Sequence, residues 1–472
     1  MTRYTSATDA DRGEMLAKVG ASSIDELFAE LPADVRLGRE LELAAGMAET
    51  EVHDLIAGLA KRNAHAEEEL CFIGAGMYDH YVPAVVDAIT QRSEFLTPYT
   101  PYQPEVSQGH LQAMFEFQTA MSELTGLPVS NASLYEGPSS VASAGYLAIG
   151  ATGRRRFVVS RGLHPHSREA LATYSEGYGA ELAEVGLDGG LTDADELAAA
   201  VDDRTAAVFL QTPNFLGAVE DLGALAEPAR QAGALVTVSV DPMTLGVLKP
   251  PGELGADIAL GEGQPLGGRL DYGGPSFGFF CATEEHIRRM PGRIAGETVD
   301  VDGRRGFVLA LQTREQHIRR EKATHNICTS QALNALGGIV YLSWLGKQGL
   351  VELGELLARR TAYARERLAA VGGVELLHEA PVVREFGVRL DAPVATVLDR
   401  CAADGIAAGY PLGREYPEYE DGLLVAITER RTKEDIDRLA ESLGRAVAEH
   451  GANGALLADS ANKSTLAGKV TQ

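Results

Sequence analysis

From about residue 63 onward, short apolar runs alternate with amphipathic stretches. RRFVVS, TAAVFLQTP, ALVTVSVDP, ADIALGEG and SFGFFCA are apolar almost throughout, without the alternation of a half-exposed strand. Strands of that kind, separated by helices, predict a mostly parallel sheet covered on both faces. Ahead of them, SSIDELFAEL opens with a serine cap and an acidic first turn, and AETEVHDLIAGLAKRN repeats the pattern, which predicts a helical arm over residues 1–62. After about residue 308, VLALQTREQHIRREKATHNICTSQALNALGGIVYLSWLG reads as one long helical stretch leaving the sheet. GVRLDAPVATVLDRCAADGIAAG and GLLVAITERRTKEDIDRLAESLGRAVAEH then read as strand and helix units of a smaller α+β domain. The division expected is an arm at 1–62, a major sheet domain at 63–322, a small C-terminal domain at 323–450 and a loosely held polar tail at 451–472. HIRR occurs twice, at His286 and His317, and both copies are predicted to be solvated helix faces, with Glu315 pairing to Arg319 one turn on.

Composition narrows the partners. The 472 residues are 45% hydrophobic, enough for a large core, and carry 42 Lys+Arg against 67 Asp+Glu, a net charge of -25. So acidic a surface repels nucleic acid phosphates and anionic lipid headgroups, so neither nucleic acid nor membrane is an expected partner. No apolar run approaches the roughly 20 residues of a membrane span. The N-terminal MTRYTSATDADRGEMLAKVG lacks the apolar core of a secretory signal, and a cytoplasmic location is expected. Cys71, Cys281, Cys328 and Cys401 are scattered without CxxC spacing, which predicts neither a metal site nor a disulfide framework.

In open parallel sheets, ligands bind beyond the carboxyl ends of the strands. Those positions hold His164 and His166 after VVS, Asn214 after VFLQTP, Asp241 after VTVSV, and Gly261 to Gln264 after ADIAL. The set suits pyridoxal phosphate. A carboxylate such as Asp241 keeps a pyridine nitrogen protonated, His164 offers a flat group over the ring, and Asn214 offers a donor to the phenolic oxygen. Gly137, Ser139 and Ser140 open a helix with Pro138 in its first turn, where backbone donors could receive a phosphate. Each of these is also an ordinary turn or helix-entry residue when taken singly. The lysine that such a cofactor needs is missing: near the strand ends there are only Lys249 and Lys322, one before the relevant strand and the other in a charged stretch. A second stretch, TPYTPYQPEVSQGHLQ, places Pro98, Pro101 and Pro104 at the threefold turn of a polyproline II segment. Tyr99, Tyr102 and Glu105 then share another edge, which fits either a rigid connector or a strip reaching into a neighbouring subunit.

TPYTPYQPEVSQGHLQ, NASLYEG, DPMTLGVLKPPGELGADI, GEGQPLGG, GGPSFGFF and LQTREQHIRREKATHNICTSQAL together resemble the glycine dehydrogenase (decarboxylating) P-protein of the glycine cleavage system, in its subunit 1 form. The resemblance covers nearly the whole chain. It implies the aspartate aminotransferase type of fold, pyridoxal phosphate-dependent transferase fold type I, with a mostly parallel large-domain sheet and a small C-terminal α+β domain. It also implies a second subunit, a diverged copy, that carries the cofactor lysine. Counting back from Pro275 places Gln264 at that lysine's position here, and glutamine cannot anchor an aldehyde. On that basis Gly137, Ser139, His164, Asn214, Asp241 and Gln264 form a vestigial cofactor cleft, while Tyr99, Tyr102 and Glu105 contribute to the partner's active site. The implied reaction decarboxylates glycine and passes the aminomethyl group to the lipoyl arm of H-protein, in functional association with T-protein and L-protein. One departure is EGPSSVASA after NASLY, where the family often has Asp-Gly, small residues and Thr. The alternatives are a self-sufficient decarboxylase or aminotransferase using Lys249 or Lys322, and a non-catalytic scaffold or regulator of the same fold.

Overall fold

A computed structural model of the protein describes residues 6–328 and 330–467, with 451–467 described by backbone alone. The side chains of the expected loose tail, and residues 468–472 entirely, lie outside the described residues. The chain divides into two compact units, Met1–Ala64 and His65–Gln472.

The first unit carries helices α1 (Asp9–Val19) and α2 (Glu49–Ala60). Thr8 and Asp11 cap α1 reciprocally, and Glu51 accepts from the Ala48 amide at the start of α2. SSIDELFAEL forms only a 3₁₀ turn, Asp25–Phe28, rather than the expected helix. Glu26 turns back to accept from both the Ser22 amide and hydroxyl, which closes a local turn, and Pro32 follows. Among its described residues none is buried, so apolar side chains such as Leu27, Phe28 and Leu31 stand exposed.

In the second unit the apolar runs form one seven-stranded sheet. In chain order its strands are β1 (Val129–Ser130), β2 (Arg156–Ser160), β3 (Glu181–Val185), β4 (Thr205–Thr212), β5 (Leu235–Val240), β6 (Ile258–Glu262) and β7 (Gly278–Ala282). Their spatial order is β1-β7-β6-β5-β4-β2-β3, parallel from β6 to β3, with β7 antiparallel to both its neighbours. Val208 and Leu210 join one core with Phe117 and Met121 of α3 (Gln108–Thr125). Ala207 and Phe209 face the other side, against Val141 and Leu147 of α4 (Gly137–Thr152) and Leu171 of α5 (Pro165–Tyr178). Burial on both faces is why the central strands are apolar almost throughout, while the edge strand β3, half exposed, carries Glu181 and Glu184.

Past the sheet the structure departs from the expected long helix. Arg305–Ala310 is a strand, paired with Ile294–Val299 in a hairpin. Phe307 and Leu309 alternate inward onto Leu111 and Met114, a period of two rather than 3.6. Leu311, Arg320 and Ser330 then adopt positive φ, which a helix does not permit, so the helix α6 (Ala332–Ala369) begins only after them. The pairing of Glu315 with Arg319 is replaced by contacts to Arg293 at 3.6 Å and His317 at 3.5 Å. His286, expected on a solvated helix face, is buried beside a 3₁₀ turn.

The C-terminal part carries a four-stranded antiparallel sheet of β8 (Val374–Leu376), β9 (Glu385–Leu390), β10 (Tyr410–Pro411) and β11 (Gly422–Ala426). Helices α7 (Val394–Ala403) and α8 (Lys433–Ala467) pack with it around Phe386, Val388, Leu423 and Leu439. Leu70–Cys71 pairs parallel with Ile406–Ala407, and Phe72 enters the same core. The chain thus runs from the small sheet straight into the strap Ile73–Tyr78 that covers the carboxyl ends of the large one. Among the described residues no helix is long and apolar enough to cross a membrane.

Candidate active site

A cavity of about 490 Å³ opens beyond the carboxyl ends of β4, β5 and β6, and its walls include Gly137, His164, Asp241, Glu262 and Arg384. His164 caps α5: its Nδ1 accepts from the His166 amide at 3.2 Å, and its Nε2 lies 3.0 Å from the Ala75 carbonyl. Burial pushes its pKa down to about 4, so the ring is neutral at pH 7. The strap fits over it because Gly76 has a φ of +99° and no side chain; a Cβ there would sit 2.9 Å from His164 Nε2.

Asp241 follows β5 and accepts from the Met243 amide at 3.0 Å. Its other oxygen lies 2.5 Å from Nε of Arg384, a buried residue just before β9. The Arg384 guanidinium carbon in turn sits 3.3 Å from the centre of the Tyr78 ring. Tyr78 donates its hydroxyl to Glu385 at 2.5 Å, and Glu385 also accepts from the Ala75 amide at 2.7 Å. Burial raises the pKa of both Tyr78 and Glu385.

The entry to α4 carries two carboxylates. Glu136 accepts from the Ser139 amide at 2.9 Å, and Glu262, the last residue of β6, accepts from the Gly137 amide at 3.1 Å. Glu262 also accepts from the Gln264 amide at 3.0 Å and from Ser276, while burial raises its pKa. The positive end of the helix dipole is therefore met by the chain's own acids.

Gln264 is fully buried and does not line the cavity. Its carboxamide bonds both sides of one residue: Oε1 accepts from the Tyr78 amide at 2.9 Å, and Nε2 donates to the Tyr78 carbonyl at 3.0 Å. Nε2 also donates to the Gly268 carbonyl at 3.0 Å. Through these bonds Gln264 pins the strap.

Asn214 does not reach the cavity either. Its Nδ2 donates to the Gly190 carbonyl and Glu220, and its Oδ1 accepts from the amides of Leu216 and Ala218, so it organises the turn after β4. Gln211 lines the wall instead, and its Oε1 accepts from the His164 amide. Ser139 borders a neighbouring hollow rather than this one. Lys249 and Lys322 are exposed and outside the cavity. Strand-end reading pointed to His164, Asp241 and the stretch Gly261–Gln264 that holds Glu262, and helix-start reading to Gly137, but neither pointed to Arg384, Glu385 or Tyr78.

The strip over residues 97–106 is extended without being regular polyproline II: the Tyr102 amide donates to the Thr100 carbonyl and Pro104–Val106 is a 3₁₀ turn. Tyr99 is 75% exposed and Tyr102 43%, and Glu105 is exposed, whereas Pro101 is buried. The Tyr102 hydroxyl accepts from Arg293 at 3.0 Å and lies 3.4 Å from Glu315, and its ring meets the edge of His317. Tyr99 Oη lies 3.9 Å from Cys328 Sγ.

The glycine cleavage system P-protein model matches residues 2–443. The chain belongs to that family. A Geotalea uraniireducens protein named "Probable glycine dehydrogenase (decarboxylating) subunit 1" is 49% identical over 440 residues, 93% of this chain and 99% of its own length. A Brevibacillus brevis protein of the same name is 48% identical over 442 residues, covering 93% and 98% respectively. Among solved structures, glycine decarboxylase (P-protein) of the glycine cleavage system in inhibitor-bound form superposes with a TM-score of 0.85 at 44% identity, over 94% of this chain and 100% of that one. The fold alone extends to a sphingosine-1-phosphate lyase from Burkholderia pseudomallei, with a TM-score of 0.65 at 16% identity over 92% of this chain and 99% of that one. The chain thus has the fold of pyridoxal phosphate-dependent enzymes of type I, and the names of its relatives agree with the glycine dehydrogenase reading rather than with a scaffold or regulator of the same fold or a self-sufficient decarboxylase or aminotransferase.

Proposed function

We propose that this chain is the subunit of a two-subunit glycine decarboxylase that does not carry the cofactor. Glycine loses its carboxylate as carbon dioxide, and the aminomethyl group passes to the lipoyl arm of H-protein, in concert with T-protein and L-protein in the cytoplasm. Pyridoxal phosphate, which supplies the electron sink for that decarboxylation, resides on the lysine of the second subunit. The residues of this chain do not fit the cofactor. Among the described residues no lysine lines the cavity. The α4 amides that would meet a phosphate already donate to Glu136 and Glu262, and two more negative oxygens there would face two carboxylates. Asp241, which would hold a ring nitrogen, is already paired with Arg384.

The observation that carries the reading is Gln264, whose carboxamide is wholly engaged in holding Tyr78 and Gly268. What this chain contributes to the reaction is the exposed strip of Tyr99, Tyr102 and Glu105, set against the second subunit. Aromatic rings there exclude water from the reacting centre, and the Tyr102 hydroxyl, held by Arg293, orients glycine or the lipoyl arm. The experiment is a visible absorbance scan with pyridoxal phosphate of this chain alone, of the second subunit alone, and of the two mixed. Bound-cofactor absorbance is expected with the second subunit and the mixture only, together with glycine decarboxylation in the mixture; a full complement of cofactor on this chain alone would overturn the reading.

A further inference from the structure

The chain has a net charge of -25, yet one surface segment carries the opposite sign. The short helix Gln316–Arg319 and the 3₁₀ turn Arg320–Lys322 present Arg319, Arg320 and Lys322 against a single exposed acid, Glu321. Among the described residues none of these three cations is ion-paired, although the chain holds 67 acids; Glu315, just before them, is buried against Arg293 and His317. Like charges one turn apart repel, so the cluster gives the fold nothing by itself. Arg320 also lines a hollow of about 380 Å³ whose wall includes Tyr146, Tyr174 and Tyr178. Tyr146 and Tyr174 are exposed, and their rings lie 5.4 and 5.8 Å from that of Tyr178. Tyrosine and arginine are enriched where proteins meet, and a small anion would need no such aromatic wall. The segment starts beside the strip: His317 meets the Tyr102 ring at 5.2 Å.

We propose that Arg319, Arg320 and Lys322, with Tyr146 and Tyr174 beside them, form the docking surface for an acidic face of the lipoyl carrier, H-protein. The proposal rests on the reading that this chain works on the lipoyl arm. Exposed, unpaired charges speed and orient an encounter more than they hold a lasting complex. That suits a carrier which arrives and leaves with each turnover rather than the second subunit, which stays. An acidic carrier is repelled by the rest of so acidic a surface, so this segment fixes where it lands, next to the tyrosine that orients the arm.

The test uses the assembled two-subunit enzyme and compares the parent with the triple variant Arg319→Gln, Arg320→Gln, Lys322→Gln. With lipoylated H-protein as acceptor, KM for the variant is expected to rise at least about tenfold while kcat stays within about threefold. The parent's KM should climb with added sodium chloride and the variant's should stay nearly flat. Free lipoamide has no protein face, so parent and variant should turn it over alike. Tyr174→Ala, which removes one aromatic wall, should raise KM for H-protein by about threefold or more. An unchanged KM for H-protein in the triple variant, or an equal loss with lipoamide, overturns the proposal. So does failure of the variant to assemble in sedimentation, which would give the segment to the second subunit. If the variant does not fold, the parent decides: a KM for H-protein indifferent to salt overturns the proposal. A parent assembly that decarboxylates no glycine would instead overturn the functional reading beneath it.

Discussion

In the cleft, side chains are bonded to one another and to the backbone around them: Gln264 to Tyr78, Glu385 to the strap, Glu136 and Glu262 to the start of α4, Asp241 to Arg384. Around the tyrosine strip the balance is reversed. Tyr99 and Tyr102 project outward, and behind them the buried Arg293 has Nη1, Arg314 has Nε and His325 has both ring nitrogens without a hydrogen-bond partner. The Arg314 guanidinium donates to the Met290 and Gly292 carbonyls, so it is anchored while its Nε stays without a partner. Burial, with the two arginines nearby, pushes the His325 pKa down to about 4, so this cluster keeps its positive charge in the arginines. Arg384 in the cleft also keeps Nε and Nη2 without a hydrogen-bond partner, so the difference lies in exposure: the groups of the cleft are enclosed, whereas Tyr99 and Tyr102 stand at the surface. In the proposed function, the exposed strip rather than the enclosed cleft carries this chain's contribution to the chemistry.

The largest expected effect is at the strip. Tyr102→Phe removes only the hydroxyl held by Arg293 and should lower glycine turnover by roughly 10 to 1000-fold, the usual cost of one lost transition-state hydrogen bond, with assembly unchanged. Tyr102→Ala also removes the aromatic surface and should weaken association with the second subunit, read by sedimentation. If Tyr102→Phe and Tyr99→Phe both keep full turnover, the strip is an assembly clamp and the contrast loses its catalytic half.

Next is the clamp inside the cleft. Gln264→Ala leaves the buried Tyr78 amide unpaired, while the Tyr78 and Gly268 carbonyls keep His80 as a partner, and should lower unfolding free energy by about 2 kcal/mol in a urea titration. A Gln264→Ala chain as stable as the parent would show that this carboxamide does not hold the strap. The smallest effect is expected at Asp241. Asp241→Asn keeps the side chain's size and the bond from the Met243 amide, so turnover per assembled complex should stay within about threefold, under about 1 kcal/mol of barrier. A thousandfold loss would mean that Asp241 serves a working cofactor.

The large sheet was legible because burial on both faces leaves its central strands apolar almost throughout, a signal that does not depend on distant residues. Residues 308–331 were misread for a local reason. The alternation of Phe307 and Leu309 is only two residues deep, and the positive φ of Leu311 and Arg320 leaves no trace in propensity. At the site, His164 and Asp241 followed from the rule about strand ends, and Gly137 from the glycine-proline helix start. Asn214 did not, because a strand-end position does not say which way a side chain turns, and this one turns into its own loop. Arg384 and Glu385 were invisible, since they reach the cleft from the small domain, more than a hundred residues beyond the strands they meet. The outward set of Tyr99, Tyr102 and Glu105 was legible from the proline spacing even though the backbone there is not a regular polyproline helix.

The most direct test of the central contrast is borohydride reduction of the assembled two-subunit enzyme in the presence of pyridoxal phosphate, followed by peptide mapping of both chains. The expected result is a reduced pyridoxyl group on a lysine of the second subunit and none on this chain. Stoichiometric labelling of Lys249, Lys322 or any other lysine here would contradict it.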